Sequence, residues 1–469
     1  MGVAEKPQGD QKPQLIASTM VNPDKIQVRE VQGFFQRLRA ITLTVLFALF
    51  FLMEWVTWNG RQAILFDLPA RQFHIFGITF WPQDFTLLAL LLIIAAFLLF
   101  AVTNFAGRLW CGFTCPQTAW TFIYMWIEER LEGSRNQRIR LDRRGWSLDK
   151  ILRRGTKHLL WLLVAFLTGF TFVSYFYPVR ELIPDLLAGD VGAWPLFWML
   201  FFTATTYGAA GFLREQLCFF WCPYARFQAV MFDLDTLLVS YDKRRGEGEK
   251  GRGSRKKGED HKARGLGDCI DCDLCVQVCP VGIDIRDGIQ YQCIDCGLCI
   301  DACDGVMEKM GYPPGLIRYT TERNLAGEKT HVLRPRLFGY SFMVLVMVGA
   351  FIWTLANRAD SEIEVIRDRA ALYQINSEGL VENTYTLKLM NKSQESATYR
   401  IAVEGVEGAQ LTVKQDIAVA PGEVAVVPAV LAVSPEQMKF PTMTIEFSAT
   451  HNGSGDKVVR ESRLLGPTP

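Results

Sequence analysis

Long apolar runs dominate the first three-quarters of the chain. Five of them, at roughly 40–58, 85–105, 159–177, 194–213 and 337–356, are long enough to cross a lipid bilayer, which takes about 20 residues. The second run is the clearest, because Thr86 is its only polar residue between positions 85 and 102. A helix on the surface of a soluble protein would keep a polar stripe along one face. The pattern therefore predicts five membrane-spanning helices.

Residues 358–469 follow another pattern, in which apolar and polar residues alternate. The alternation is clear in 385–389, 399–403 and 444–447, and turn-forming pairs such as Pro421-Gly422 separate such runs. Several short alternating strands within about 110 residues are typical of an antiparallel β-sandwich. The cysteine and tryptophan spacing of antibody domains is missing, so the sequence predicts only an Ig-like shape.

Lys and Arg residues are concentrated in the segments that follow the second and fourth apolar runs. By contrast, the loop 59–84 holds only Arg61 and Arg71, and the loop 178–193 holds only Arg180. Cytoplasmic loops of membrane proteins carry the excess of basic residues. We therefore expect the N-terminus on the cytoplasmic side and the C-terminal domain outside.

Composition changes this picture at two places. Residues 1–38 are polar and contain no short apolar stretch ending in small residues, which predicts a cytoplasmic segment rather than a cleaved signal. Residues 243–265 are basic and almost free of apolar side chains, which predicts a flexible linker. The formal net charge is only +1, and we expect no nucleic-acid partner. No P-loop or dinucleotide fingerprint indicates ATP or NAD chemistry.

Cysteine usage indicates metal or redox chemistry. The chain has 12 cysteines, of which eight lie between Cys269 and Cys303, and none follows Cys303. A disulfide-bonded secreted protein would place cysteines in its exported part. Under the expected orientation, every cysteine instead lies on or near the reducing cytoplasmic side, where thiolates hold metals.

The strongest motif is a bacterial ferredoxin spacing that occurs twice. It consists of Cys269, Cys272, Cys275 and Cys279 followed by proline, and then Cys293, Cys296, Cys299 and Cys303. In such pairs the fourth cysteine of each motif serves the other cluster. The expected ligands of the first [4Fe–4S] cluster are Cys269, Cys272, Cys275 and Cys303, and those of the second are Cys293, Cys296, Cys299 and Cys279. Asp304 replaces the second proline without removing a ligand. Two zinc sites are the alternative, but zinc ribbons separate their C-x-x-C pairs widely.

Two C-x-x-x-C-P elements follow pairs of apolar runs and suggest an internal repeat. They contain Cys111 and Cys115, and Cys218 and Cys222, which we call the boundary cysteines. Pro116 and Pro223 are suited to the first position of a new helix. Cys115 and Cys222 are then expected at helix N-termini, where backbone dipoles favour the thiolate. Thiolates select Cu(I), so converging boundary cysteines predict a metal and catalytic site. The alternatives are buried cysteines that act as small hydrophobes and a thiol redox switch.

Three isolated residues are weaker candidates. Glu54 lies inside the first apolar run, where a carboxylate suggests function, although it is more simply explained as reaching the outer interface. His74, in an expected outside loop, and His158, at the start of the third run, are expected to be structural.

Taken in order, these elements resemble the FixG/RdxA/CcoG family. The resemblance rests on the segment 59–63 through 81–84, both C-x-x-x-C-P elements, the double ferredoxin motif and the Ig-like domain. It implies a multi-pass protein of the bacterial inner membrane that assists assembly of the cbb-type haem–copper oxidase. The implied activity is cupric reduction, with copper as substrate or transient ligand at Cys111, Cys115, Cys218 and Cys222.

The predicted fold class is multi-domain: an α-helical transmembrane bundle of about five spans, an inserted two-cluster ferredoxin domain and a C-terminal all-β sandwich. The predicted parts are 1–38, a membrane domain at 39–242, the linker 243–265, the ferredoxin domain 266–330, a fifth helix at 337–356 and the Ig-like domain 358–469.

The functional hypothesis is a one-electron relay from a cytosolic donor to Cu(II). Its expected partners are the lipid bilayer, copper and oxidase assembly factors, with a homodimer as a further expectation. Two alternatives stay open: a quinone-linked membrane ferredoxin subunit, and a non-enzymatic redox-sensing scaffold.

Overall fold

A computed structural model describes residues 26–467 except 369–370, 394 and 439. The described chain divides into two compact units. The first unit runs to Val56 and continues from Leu88 to Phe351, and the second contains Thr57–Leu87 and the residues from Ile352 onward. Residues 1–25 of the predicted cytoplasmic segment 1–38 lie outside the described residues.

The helices of the described residues include the expected apolar ones and several short ones. In chain order they are α1 (Phe34–Leu52), α2 (Phe85–Ala106), α3 (Leu109–Phe113), α4 (Pro116–Glu132), α5 (Arg135–Arg143), α6 (Leu148–Ser174), α7 (Val179–Ala188), α8 (Ala193–Gly208), α9 (Pro223–Met231), α10 (Lys243–Gly246), α11 (Leu274–Gln277), α12 (Leu298–Met310), α13 (Glu322–Leu325) and α14 (Pro335–Ala356).

The strands are short before the last helix and long after it. In chain order they are β1 (Thr57–Trp58), β2 (Arg61–Gln62), β3 (Ile64–Asp67), β4 (Gln72–Ile75), β5 (Ile78–Phe80), β6 (Leu238–Tyr241), β7 (Ile317–Thr320), β8 (Ser361–Arg367), β9 (Gln374–Ile375), β10 (Val381–Asn391), β11 (Ala397–Glu404), β12 (Gln410–Val413), β13 (Ile417–Val419), β14 (Val424–Val433), β15 (Thr442–His451) and β16 (Lys457–Leu465).

Five helices are long and apolar enough to cross a membrane, which confirms the predicted number. They are α1, α2, α6, α8 and α14. The third, α6, begins at Leu148, which is earlier than the apolar run suggested. The hydroxyl of Ser147 caps it by accepting a hydrogen bond from the Lys150 amide. The polar first turns of α6 therefore extend the helix beyond its apolar part.

Small residues let α6 and α8 approach closely. A side chain at Gly169 would meet Thr203 and the backbone oxygen of Met199, so only glycine fits there. Glu54, in the turn after α1, is buried and accepts hydrogen bonds from the hydroxyls of Thr171 and Ser174 on α6. Glu54 thus lies at the end of the first span, which agrees with the expectation that it reaches the interface, but it is buried and these hydroxyls satisfy it inside the first unit.

The ferredoxin module is larger than predicted and begins before residue 243. Strand β6 pairs antiparallel with β7, and its four residues are all buried. Val239 and Tyr241 pack with Cys269, Cys275 and other buried residues in the core of the module. The boundary predicted at 265/266 missed β6, because four apolar or small residues before a basic segment carry no distinctive signal.

The segment 243–265, predicted to be a flexible linker, instead folds against the ferredoxin module. Arg245 forms an ion pair with Asp268 at 2.7 Å and donates to the backbone oxygen of Pro314 at 2.8 Å. Arg255 donates to the backbone oxygen of Gly267 at 2.6 Å. Its basic side chains therefore bind specific acceptors, which composition alone does not reveal.

The second unit contains the Ig-like sandwich that the alternating pattern predicts. One sheet has the order β12-β14-β10-β8, with β9 also on β10, and the other has the order β13-β11-β15-β16. All pairs are antiparallel; Tyr385 is opposite Ala429, for example. The residues that alternate inward, such as Leu387 and Phe447, are fully buried between the sheets.

The loop 59–84 also belongs to the second unit and is more ordered than a loop. It forms the sheet β3-β4-β5. The imidazole Nδ1 of His74 lies 3.0 Å from the Thr79 hydroxyl. Burial, together with the charge of Arg61, lowers the pKa of His74 to about 4. Asp84 accepts hydrogen bonds from Arg358 at 2.6 Å and Lys392 at 3.2 Å. The structural role expected for His74 agrees with these contacts.

Candidate redox centre

The eight ferredoxin cysteines line two adjoining cavities. The first cluster site is lined by Cys269, Cys272, Cys275 and Cys303. The second cluster site is lined by Cys279, Cys293, Cys296 and Cys299. Cys275 also borders the second cavity. The grouping coincides with the crossed ligand sets predicted from the spacing, because the last cysteine of each motif lies in the cavity of the other motif.

The backbone between the cysteines explains this arrangement. Asp271 and Asp273 have φ angles of 57° and 56°, and the equivalent Asp295 and Gly297 have 50° and 73°. Aspartate and glycine tolerate this left-handed conformation better than other residues. Each loop therefore curls around its cavity, and helices α11 and α12 begin directly after it. The repeated Asp residues are a sequence signal that spacing alone overlooks.

The donor set fits iron–sulfur clusters better than zinc. Among the described residues, no three His, Cys, Asp or Glu side chains are gathered to hold one metal ion. Zinc needs its sulfurs about 2.3 Å from one point, whereas a cubane is larger and takes one thiolate at each corner. Burial raises the pKa of Cys275, Cys279 and Cys303 to about 12. Buried cysteines around an apolar cavity thus fit a cofactor whose iron atoms bind the sulfurs after the thiols have lost their protons.

The C-x-x-x-C-P elements have the predicted helix starts. Cys115 is the N-cap of α4 and Cys222 the N-cap of α9, each followed by proline at the first helical position. The two elements differ before that point. Cys111 lies in α3, whereas Cys218 lies in a π-helical turn, Leu217–Trp221. Such turns frequently mark functional sites.

The four boundary cysteines lie in one region of the fold, but among the described residues no three of them are gathered around one point that would hold a metal ion. The charges of Cys115, Cys218 and Cys222 all influence Cys111. Burial raises the pKa of Cys111 and of Cys218 to about 12. Burial also raises the pKa of Cys115, although the backbone amides of Gln117 and Thr118 oppose it. At Cys115 burial therefore has a larger effect on the pKa of the thiol than the helix N-terminus has.

Two further residues adjoin this site, and sequence reasoning missed both. The thiol of Cys111 donates to the Gln228 side-chain oxygen at 3.4 Å, and Gln228 is completely buried. Arg108 lies close enough to oppose the raised pKa of Cys111 and Cys218, and it donates to the Ala225 backbone oxygen at 2.6 Å. Neither residue belongs to a recognisable motif; only the fold of α9 against the end of α2 brings them here.

The first C-x-x-x-C-P element touches the second cluster site directly. Gly112 packs so closely on the backbone of Ile294, Asp295 and Cys296 that a β-carbon would lie 2.7 Å from the Ile294 oxygen. The backbone amide of Arg108 donates to the buried Asp295 carboxylate at 2.9 Å. The two cysteine systems are therefore joined without an intervening layer of side chains.

A second contact joins the ferredoxin module to the first membrane helix. Asp301 accepts hydrogen bonds from the backbone amides of Phe35 at 3.1 Å and Gln36 at 2.8 Å. Asp301, which lies in α12 of the ferredoxin module, thus caps the N-terminus of α1. Phe35 packs on Tyr319 of β7. The module is docked on the membrane helices of the first unit and is not merely tethered to them.

Comparison with protein families finds three matches along the chain. A model described as 4Fe-4S binding domain matches residues 88–131, which include Cys111 and Cys115. A 4Fe-4S dicluster domain matches 213–322, which include all eight ferredoxin cysteines. A model described as IG-like fold at C-terminal of FixG, putative oxidoreductase, matches 351–467.

Three curated proteins are similar over most of their length. Nitrogen fixation protein FixG of Rhizobium meliloti is 38% identical over 83% of this chain and 81% of its own. Protein RdxB of Cereibacter sphaeroides is 42% identical over 80% of this chain and 81% of its own. Protein RdxA of the same organism is 38% identical over 81% of this chain and 82% of its own.

Proposed function

This chain belongs to the FixG/RdxA family of membrane iron–sulfur proteins, and from that premise we propose that it reduces Cu(II) to Cu(I) at its boundary cysteines. The electrons come one at a time from a soluble cytoplasmic carrier of the ferredoxin or flavodoxin class. The observation that carries the proposal is the packing of Gly112 on the loop of the second cluster site. That contact gives electrons a short route between the two cysteine systems.

The residues of the ferredoxin module bind the cofactors and separate them from water. When bound, two [4Fe–4S] clusters supply one-electron transfer. Cys272 is exposed, which makes the first cluster site the natural entry for electrons. Cys296 is buried and lies beside the C-x-x-x-C-P element, which makes the second cluster site the natural exit.

The boundary cysteines bind the copper substrate. Cu(II) accepts one electron and becomes Cu(I), which soft sulfur ligands prefer. The thiols of Cys111, Cys115 and Cys218 lose their protons when copper binds, and their sulfurs move together around the ion. Before copper binds, the side-chain oxygen of Gln228 accepts a hydrogen bond from the Cys111 thiol and so orients it. Each Cu(I) formed corresponds to one electron taken from the carrier.

The distribution of basic loops supports a location in the bacterial inner membrane, with the ferredoxin module in the cytoplasm and the Ig-like domain in the periplasm. Cu(I) then passes to the assembly of the cbb-type oxidase. The Ig-like domain is a docking module for an assembly factor on the outer side.

The test uses anaerobically purified full-length protein that has been reduced and freed of excess reductant. We expect added Cu(II) to become Cu(I) in proportion to the electrons stored, as measured with a Cu(I)-specific chromophoric chelator. The double variant Cys115→Ala, Cys222→Ala should lose this reaction yet keep its iron and sulfide. The neighbouring Thr114→Ala is the matched control and should react normally. Unchanged Cu(II) reduction in the double variant removes the proposed site.

A second candidate partner, a membrane quinone, is favoured by one cavity. This cavity of about 350 Å³ adjoins the second C-x-x-x-C-P element and is lined by Lys157, Arg214 and the aromatic residues His158, Trp161 and Phe212. The remaining wall is mostly polar, with Asp142, Arg154, Glu215 and Gln216, so a ring-shaped ligand would stack on Trp161 and Phe212 and hydrogen-bond to the polar side chains. Quinol that reduced the clusters of wild-type protein, but not of Phe212→Ala, would favour this role over copper reduction.

A further inference from the structure

Arg39 is a buried arginine on the membrane helix α1, and it is 1% exposed. Its guanidinium carbon lies 5.3 Å from the centre of the Phe122 ring. Its Nε has no hydrogen-bond partner, and among the residues that the structure describes Arg39 forms no ion pair. Glu30 and Glu129 line the adjoining cavity without reaching ion-pair distance. A full positive charge is thus buried without a carboxylate at ion-pair distance among the described residues.

The charges that Arg39 does face are sulfurs of the second cluster site. Its guanidinium interacts with Cys296 and Cys279. The same charge opposes the effect of burial on the pKa of Cys296. Leu298 lines both the second cluster site and the cavity that Arg39 borders, so these two cavities share a wall.

The first cluster site has more carboxylates around it than the second, where the buried Asp295 lies beside Cys293 and accepts a hydrogen bond from the Arg108 amide. Its nearby arginine, Arg286, is held by three carboxylates: Asp271 at 2.7 Å, Asp273 at 2.6 Å and Asp284 at 2.6 Å. The sum of these charges is negative. The contrast between a neutralised arginine at the exposed site and an unpaired arginine at the buried site requires an explanation.

Reduction adds one negative charge to an iron–sulfur cluster. A buried cluster resists that charge, because water is too far away to stabilise it, and its reduction potential falls. A fixed positive charge in the same low-dielectric region stabilises the reduced state much more than it would in water. Arg39 has the location and the sign for this task.

We propose that Arg39 raises the reduction potential that a cluster would have at the second cluster site, so that a cluster held there would be reduced more readily. The inference rests on the electron relay proposed above and adds the charge that directs its internal step. The test of this inference measures the reduction potentials of the clusters in the absence of copper. A negative result for Arg39 can therefore be distinguished from a failure of the proposed copper reduction.

The experiment is a potentiometric titration followed by EPR on the full chain, purified without oxygen. Arg39→Met removes the charge with little change in length, Arg39→Gln is a second neutral variant, and Arg39→Lys is the matched control. At a fixed solution potential, we expect the reduced-to-oxidised ratio of one cluster to fall about tenfold in the neutral variants, which is about 59 mV for one electron. Arg39→Lys should stay near wild type.

Every outcome decides the proposal. Two unchanged potentials in a neutral variant that keeps its iron and sulfide overturn it, and so does a rise. Loss of one cluster from both neutral variants, with retention in Arg39→Lys, supports it, because the cluster then requires the charge. Loss in Arg39→Lys as well overturns it, because the shape of the arginine would then be what matters.

Discussion

One close contact between the first C-x-x-x-C-P element and the second cluster site depends on a residue without a side chain. Gly112 lies in α3 between Cys111 and Cys115, and the backbone of Ile294, Asp295 and Cys296 occupies the space that a β-carbon would need. Backbone atoms cannot relieve a steric clash by changing rotamer, as a flexible side chain can. Gly112 therefore sets the separation between the boundary cysteines and the second cluster site.

Gly112→Ala should force these two segments apart. We expect a loss of about 1–3 kcal/mol of stability, as for other overpacked sites, and slower electron transfer from reduced protein to Cu(II). Thermal unfolding and stopped-flow absorbance of the clusters measure the two effects. Gly155→Ala on α6 is the control, since its new methyl group meets nothing within 4 Å. Equal rates in the two variants would show that the contact does not govern transfer.

Burial of the boundary thiols gives copper binding a specific pH dependence. Because the pKa of Cys111 and Cys218 is about 12 without metal, both are protonated at physiological pH. Copper binding must release these protons, so we expect the affinity for Cu(I) to rise at least about tenfold per pH unit from pH 6 to 8. Competition with a Cu(I) chelator measures it. An affinity independent of pH would mean that thiolates already exist, as the helix N-termini alone suggested.

At the scale of elements, His74 makes the stability of the sheet β3-β4-β5 depend on pH. Its pKa falls from about 6.5 to about 4 on folding, so the folded sheet favours neutral imidazole. The associated stability is fully present above about pH 6.5 and is lost as the pH falls toward 4; the loss at pH 5 is about 2 kcal/mol. Hydrogen exchange of the β4 amides, corrected for intrinsic rates, should show this loss. In His74→Gln the loss should be absent, and an equal loss there would assign it to another group.

Sequence patterns predict some secondary-structure elements of this chain and fail to predict others. Five apolar runs predict the five long helices, because the bilayer fixes both length and composition. Their bounds differ where capping by Ser147 extends α6. The π-helical turn at Leu217–Trp221 and the packed segment 243–265 follow from tertiary contacts, which local composition does not encode.

At the scale of the whole molecule, the spacing of the eight ferredoxin cysteines was enough to divide them into two ligand sets. It did not predict where these sets lie relative to the boundary cysteines. The crossed sets follow from chain geometry, since a fourth cysteine cannot return to its own loop. The docking of the module through Asp301 and Asp295 joins residues far apart in sequence. Asp301 does not differ from a surface residue when the sequence is read alone, and the repeated position of Asp295 indicates its loop conformation but not its contact with Arg108. The short route to the boundary cysteines therefore appears only in the fold.

The central claim is that the ferredoxin cysteines hold two cubane clusters that exchange single electrons. Iron, acid-labile sulfide and zinc analysis of anaerobically purified protein, with EPR after reduction, tests it most directly. The account predicts about eight iron and eight sulfide per chain, with signals of two interacting reduced clusters. Stoichiometric zinc without sulfide would contradict it.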